Sequence, residues 1–197
     1  MKWQTLTLTL LASGALSSPI AALSKNDIYT LRVSSKSAPE IDGRPLTLSP
    51  TGQIGVYPQS PAIQFYTVPS TSGRTVELHK FPTVSNSDQV LAFVGANDLL
   101  DFSIADPDAA PPAGKTCDYK SFSLESRPGV VGRPANVVGY KGAKGGNWVA
   151  FKKGDKEGWS INWRGADAVT IARRSYMIVD VVYEPVGAEA GPIVGSS

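Results

Sequence analysis

The stretch WVAFKKGDKEGWSINW, residues 148–163, has the pattern of two short strands joined by a charged turn. In its second half, Trp159 and Trp163 fall on one face of a strand, while Ser160 and Asn162 fall on the other. We therefore expect Trp159 and Trp163 to point into a core. The turn KKGDKEG supplies two glycines that tolerate a positive φ, as tight hairpin connections often require.

The first strand of this hairpin leaves two interpretations of its buried face. Val149 and Phe151 share one face, and Trp148 shares the other with an alanine. If Val149 and Phe151 face the core, Trp148 stands outside near Lys144 and Lys152, where an aromatic ring among cations could bind a ligand. The alternative is that every tryptophan fills the core. Trp148, Lys144 and Lys152 are therefore the candidate ligand-binding residues.

The rest of the chain shows the same alternation in short runs, separated by Gly, Pro, Asn, Asp or Ser about every 8 to 14 positions. Helical periodicity is nowhere sustained. The alternation predicts about 13 strands, at 28–34, 45–48, 53–57, 63–68, 75–81, 90–94, 99–105, 119–124, 136–140, 148–151, 159–163, 169–173 and 177–183.

Short strands at this spacing predict an all-β protein with a single antiparallel β domain, either a β-trefoil-like barrel or a β-sandwich. The strands sort into three groups of four plus a closing strand, as a trefoil requires. No residue motif repeats three times, so both architectures stay open. Two proline-rich stretches, 106–116 and 127–134, are predicted to be exposed loops. Both lie within one domain at 25–186, which a flexible tail follows at 187–197.

The N-terminus predicts secretion. Met1–Lys2 precedes the apolar run Leu6–Leu16, and these two segments have the charged and hydrophobic regions of a signal peptide. Small residues permit cleavage after Ser17 and, preferably, after Ala22 or Ser24. A membrane anchor would need about 20 apolar residues, and polar residues interrupt this run. We therefore assign the first 24 residues to a cleaved signal and expect a mature protein without a transmembrane segment.

The chain has a lone cysteine and, in its last predicted strand, a lone carboxylate, and each could need a partner. Cys117 is the only cysteine, so no intramolecular disulfide can form, and a buried inert thiol is favoured over an intermolecular bridge or a chemical role. Asp180 interrupts the apolar run 176–183, where a buried carboxylate is costly unless it is paired. Arg173 or Arg174 is the expected partner of Asp180.

Charge is distributed unevenly along the chain. Residues 86–125 carry seven acids against two lysines, a net charge of −5, whereas residues 132–174 carry nine bases against three acids, a net charge of +6. Such asymmetry could steer an anionic partner, such as an acidic polysaccharide or a membrane surface. It is equally compatible with two charged faces of one soluble domain.

Residues suited to catalysis are few. His79 is the only histidine, and on a strand at 75–81 it shares a face with Glu77, which predicts exposure to solvent. One histidine and one cysteine do not make a transition-metal site. The sequence therefore predicts no catalytic residue, metal or cofactor, and it has no phosphate-loop or nucleic-acid motif. Four aspartates match no calcium-loop spacing, namely Asp98, Asp101, Asp106 and Asp108.

The segment Asp27–Tyr57, DIYTLRVSSKSAPEIDGRPLTLSPTGQIGVY, resembles the start of a family of small secreted fungal cell-wall proteins associated with phialide and conidial development. The similarity continues through Thr75–Leu78, Gln89–Leu100 and the loop Pro112–Gly114 that precedes Phe122. The resemblance implies a secreted, non-enzymatic protein associated with the cell wall, and it supplies no catalytic residues.

These observations lead to three functional hypotheses. The first is a secreted structural or interaction protein, located extracellularly or at a fungal cell wall, with wall polysaccharide or wall proteins as partners. The second is a released carbohydrate-binding or effector-like module. The third is a hydrolase that uses paired carboxylates, which a fold can assemble from any of the 17 acids.

Overall fold

The computed structural model describes residues 27–83, 88–128, 134–154, 157–168 and 175–187. The expected signal sequence, nearly all of the expected tail, the expected strand at 169–173 and both arginines proposed as partners of Asp180 lie outside these ranges. The described residues form antiparallel strands and no helix: β1 (Tyr29–Ser34), β2 (Thr47–Leu48), β3 (Ile54–Val56), β4 (Gln64–Pro69), β5 (Val76–Phe81), β6 (Val90–Ala96), β7 (Leu99–Ala105), β8 (Thr116–Asp118), β9 (Phe122–Pro128), β10 (Pro134–Tyr140), β11 (Asn147–Gly154), β12 (Gly158–Arg164) and β13 (Tyr176–Pro185). The predicted all-β class and single sheet domain are confirmed.

The strand pairings close six strands into a ring. β1 pairs with β4, β4 with β5, β5 with β9, β9 with β10, β10 with β13, and β13 returns to β1. Between these strands the chain forms three hairpins, β2–β3, β6–β7 and β11–β12. β12 joins the hairpins by pairing with both β3 and β7. A six-stranded barrel carrying three joined hairpins is the connectivity of a β-trefoil, so the topology supports the trefoil-like alternative.

The ring closes where the two ends of the domain meet. β1 and β13 pair over six residues each, from Tyr29 opposite Pro185 to Ser34 opposite Asp180. The backbone N–H of Val186 then donates to the carbonyl oxygen of Ile28 at 2.8 Å. The first and last described strands are therefore neighbours, although they lie at opposite ends of the sequence.

An aromatic cluster fills the middle of the molecule. Phe93 is fully buried, and its ring lies 4.5 to 6.1 Å from the rings of five other aromatic residues. These neighbours come from β7, β9, β10, β11 and β12, and they are Phe102, Phe122, Tyr140, Trp148 and Trp163. Trp159 and Trp163 are buried, as their spacing predicts. Because the chain has a single cysteine, this packing takes the place of disulfide bonds as the main source of stability.

The exposed loop predicted at 106–116 is confirmed apart from its last residue, because Thr116–Asp118 pairs with β6 as strand β8. Two other expectations about local structure are wrong. The stretch 127–134 is predicted to be a loop, but its described ends are extended, where Pro128 pairs with Pro134 in the β9–β10 ladder. Asp180 is exposed rather than buried, since the alternate residues Val179 and Val181 take the inward positions of β13. Its carboxylate therefore needs no buried partner.

An ion-pair cluster on the β9–β10 ladder makes stability depend on pH. Glu125 accepts hydrogen bonds from Lys141 at 2.7 Å and from Arg127 at 2.9 Å. These hydrogen bonds, first that from Lys141 and then that from Arg127, lower the pKa of Glu125 from 4.5 to about 2. The stabilisation is present above the unfolded pKa and is lost as pH falls from about 4.5 towards 2, because the unfolded chain then takes up a proton more readily.

We therefore expect Glu125→Gln to lower the urea midpoint at pH 6 and to have little effect at pH 2.5. The measurement is the difference in midpoint between wild type and variant as a function of pH. Glu184→Gln is a useful comparison, because Glu184 pairs with Arg32 on an exposed surface. A difference for Glu125→Gln that stays constant from pH 6 to pH 2.5 would contradict the assignment.

Candidate functional site

The structure places Trp148 in the core, so the hypothesis of an exposed binding tryptophan at this position is wrong. Its side chain is 3% exposed, and its indole N–H donates to the carbonyl oxygen of Val138 at 2.7 Å. Both faces of β11 are covered, since Val149 and Ala150 are also fully buried. β12 and β13 pair with the two edges of the strand, and the burial of neighbouring residues on both faces leaves Trp148 no exposed position.

The two lysines of that hypothesis lie on different elements. Lys144 is exposed in the turn between β10 and β11, and Lys152 is exposed near the end of β11. Lys152 borders a cleft of about 290 Å³ together with Glu40 and Arg44, and Trp159 forms part of its wall. Trp159 is 8% exposed, so it offers an edge rather than a ring face to this cleft. The predicted trio is therefore not assembled into one site.

His79 is buried, which corrects the prediction that it faces solvent. Its ring stacks on Tyr66 with centroids 5.3 Å apart. Nδ1 lies 2.8 Å from the carboxylate of Asp88, and Nε2 lies 3.3 Å from that of Glu77. Asp88 lies in the segment before β6. The alternation of residues along β5 therefore could not predict that Asp88 would contact His79. Both ring nitrogens are engaged, and the histidine is held as part of the structure.

A polar network joins three strands of the hairpin layer. Asp101 on β7 accepts hydrogen bonds at the same oxygen, Oδ1, from Asn162 Nδ2 at 2.7 Å and from Gln53 Nε2 at 3.1 Å. Tyr57 Oη donates to Gln53 Oε1 at 3.4 Å, and Lys153 Nζ donates to the same oxygen. These five residues are called the Asp101 network below. They converge because Asn162 stands opposite Asp101 in the β7–β12 pairing.

The network borders a cleft on the outer face of β7. This cleft, called the Asp101 cleft below, has a volume of about 290 Å³, and the proline-rich loop that follows β7 forms its outer wall. Its lining residues combine carboxylates, a hydroxyl, a thiol, one lysine and small apolar groups, namely Val94, Asp101, Ser103, Ile104, Ala105, Asp106, Ala109, Ala110, Pro111, Pro112, Lys115 and Cys117. The cleft is therefore mixed in polarity, as binding sites for small polar molecules usually are.

Burial fixes the protonation of the groups around the cleft. It raises the pKa of Tyr57 to about 12, with a further contribution from the negative charge of Asp101, so the phenol remains a hydrogen-bond donor. Burial also raises the pKa of the Cys117 thiol, and Asp118 raises it further. Because the thiolate is the nucleophilic form, Cys117 is a poor nucleophile at neutral pH. It is half-buried rather than fully buried as the sequence analysis favours.

The described residues show no arrangement suited to a metal. No group of three or more His, Cys, Asp or Glu side chains in this part of the chain is placed to hold an ion. No helix in the described ranges is long and apolar enough to cross a membrane. Comparison of the chain with protein-family models, curated proteins and solved structures finds no match. The class of the protein therefore rests on its own topology and on the chemistry of the Asp101 cleft.

Sequence reasoning missed the Asp101 network because its members are far apart in the chain. Gln53 lies 48 positions before Asp101, and Asn162 lies 61 positions after it. One signal was available: Asp101 and Ser103 occupy the polar face of β7, opposite the core residues Leu100 and Phe102. That alternation predicts a polar surface, but it does not say which strand will lie beside it.

Proposed function

We propose that the protein is a secreted, non-enzymatic interaction protein, held at a fungal cell wall through non-covalent contacts with wall polysaccharide or wall proteins. The observation that carries this proposal is the Asp101 cleft, where positioned hydrogen-bonding groups meet small apolar side chains without an activated nucleophile. The N-terminal signal pattern and the resemblance of Asp27–Tyr57 to fungal wall proteins support the location.

Two features of the site favour binding over covalent chemistry. The Cys117 thiol remains protonated at neutral pH, and the single histidine of the chain is engaged by Glu77 and Asp88 rather than lining the cleft. A serine or cysteine nucleophile needs a base within hydrogen-bond reach. The cleft therefore offers groups that can hold a ligand but no such pair to attack it.

A localisation experiment tests the proposal directly. Tagged protein is expressed in a filamentous fungus, and culture filtrate, cytosol and washed walls are separated. We expect most of the protein in the wall fraction, released by hot detergent without a reducing agent, because its attachment is non-covalent. Protein found only in the filtrate would overturn wall association and favour a released carbohydrate-binding or effector-like module.

A hydrolase remains the third hypothesis because Asp101 and Asp106 both line the cleft. Carboxylate pairs at suitable separation catalyse glycoside hydrolysis. Under the proposed function, purified protein incubated with soluble β-glucan or chitin oligosaccharides produces no new reducing ends. Release of reducing ends that stops in Asp106→Asn would replace the binding function with a hydrolytic one.

A further inference from the structure

We infer that the Asp101 cleft binds one terminal sugar unit, without negative charge, of a wall glycan. This inference rests on the proposed function and names the ligand class and the site that would mediate it. Four features of the cleft support it: a fixed carboxylate, an excess of hydrogen-bond acceptors beside it, an apolar lining, and the size and charge of the cleft.

The Asp101 carboxylate is held in one orientation with one oxygen left open. Its Oδ1 receives both amide hydrogen bonds, from Asn162 and from Gln53, whereas Oδ2 accepts none from the residues that the structure describes. Lys153 and Tyr57 in turn hold the carbonyl oxygen of Gln53. A carboxylate fixed in this way is preorganised to accept a hydrogen bond, so a ligand loses little of its binding free energy in ordering it.

The surroundings of Asp101 contain more acceptors than donors. Asp106 adds a second carboxylate to the lining, against one Lys115 ammonium and the Ser103 hydroxyl. Unmatched acceptors call for a ligand that brings several donors. Neighbouring sugar hydroxyls do so, and O–H···O⁻ hydrogen bonds to a carboxylate are among the stronger ones in proteins.

The proline-rich loop gives the cleft an apolar part. Ala109, Ala110, Pro111 and Pro112 form it, and none of these side chains offers a hydrogen bond. A pyranose ring has the matching character, since its hydroxyls lie around its edge and its C–H groups form an apolar face. One sugar ring can therefore place hydroxyls towards Asp101 and C–H groups towards the prolines.

Size and charge restrict the ligand further. The volume of about 290 Å³ lies just below the usual range for small-molecule sites, roughly 300 to 1,000 Å³, which suits one sugar unit rather than several. Two carboxylates against one lysine disfavour an anionic sugar such as a uronate. The net charge of −5 across residues 86–125 also disfavours an anionic sugar. A chain end without negative charge is the ligand that these features describe.

The experiment measures binding of purified protein to laminaritetraose, mannotriose and chitotetraose, with a glucosamine tetramer and tetragalacturonate as charged comparisons. We expect at least one neutral oligosaccharide to bind and the anionic tetragalacturonate to bind more weakly, because two carboxylates line the cleft. The cationic glucosamine tetramer should bind at least as tightly as chitotetraose, because its ammonium groups complement those carboxylates. Asp101→Asn should weaken binding of the neutral oligosaccharide by about 10-fold to 100-fold, because it replaces a charged acceptor with a neutral one. Asp180→Asn, an exposed aspartate on β13 outside the cleft, is the matched control and should leave the Kd unchanged.

The reactivity of Cys117 provides an independent readout of position, since this thiol lines the same cleft. A bound neutral oligosaccharide should slow its alkylation by iodoacetamide several-fold, and the melting temperature of Asp101→Asn should show that the variant is folded. The inference fails if no neutral oligosaccharide binds, if Asp101→Asn binds like wild type, if alkylation is unaffected by a sugar that binds, or if tetragalacturonate binds best. Those results leave wall association intact, whereas absence from walls together with no sugar binding removes both proposals.

Discussion

Phe93→Ala is expected to lower the free energy of unfolding by about 3 to 5 kcal/mol, the usual cost of truncating a fully buried aromatic residue. Phe93 has no exposed surface, and its ring contacts aromatic residues from five other strands. Its removal leaves a cavity that rigid rings cannot close by small shifts. Urea denaturation followed by tryptophan fluorescence measures the loss, because Trp148 and Trp163 report on the same cluster.

Ile178→Ala serves as the control for Phe93→Ala. Ile178 also lies in a strand, but it is 57% exposed, so its truncation should change stability by less than about 1 kcal/mol. If the two variants lost similar amounts, the aromatic cluster would not be the source of stability described above. A large loss for Phe93→Ala with an unchanged slope against urea would confirm it, since the slope reports the surface exposed on unfolding.

Gly158→Ala should be the most damaging of the glycine substitutions in the turns. Gly158 has φ at +85°, and an added Cβ would overlap the carbonyl oxygen of Val56 on the neighbouring strand. Backbone strain and steric overlap therefore act together, and we expect a loss of roughly 2 to 5 kcal/mol. The positive φ confirms what the sequence indicates for this turn residue, whereas Gly154 of the same turn does not adopt one.

Gly52→Ala separates the two causes, because Gly52 has nearly the same φ, +79°, with nothing within 4 Å of the added Cβ. Gly52→Ala should lower the free energy of unfolding only by the cost of backbone strain, about 1 to 2 kcal/mol. Urea midpoints of both variants provide the comparison. If both variants lost the same stability, the contact between β3 and β12 would have adjusted to the added Cβ, and the overlap at Gly158 would contribute nothing to the loss.

The strand content was predictable from sequence because most strands have one buried face. β1 illustrates this case, since Tyr29, Leu31 and Val33 are buried and alternate with residues that are not. Trp148 illustrates where the method fails. β11 pairs with a strand at each edge and is covered on both faces, so a two-residue period carries no information about which side is exposed.

The candidate site was not predictable for a related reason. Period-2 analysis assigns a residue to a face of its own strand, but it does not identify what will lie against that face. His79 is on the outer side of the barrel yet covered by Tyr66 and Asp88, and Asp101 finds its partners on two other hairpins. Those contacts follow from the order of strands in the ring and from the pairing of the hairpins, neither of which a repeated motif in this sequence predicts.

Closure of the barrel by β1 and β13 has a mechanical consequence. Tyr29 and Pro185 sit at the same end of this antiparallel pair, so a force pulling the two ends of the domain apart acts first on their hydrogen bonds and then on each pair in turn. A force in this direction breaks the hydrogen-bonded residue pairs of β1 and β13 one after another, instead of loading all of them at once. We therefore expect the domain to unfold at low force when it is pulled through its two ends, even though it unfolds cooperatively in urea. It should withstand a higher force when it is attached through its surface.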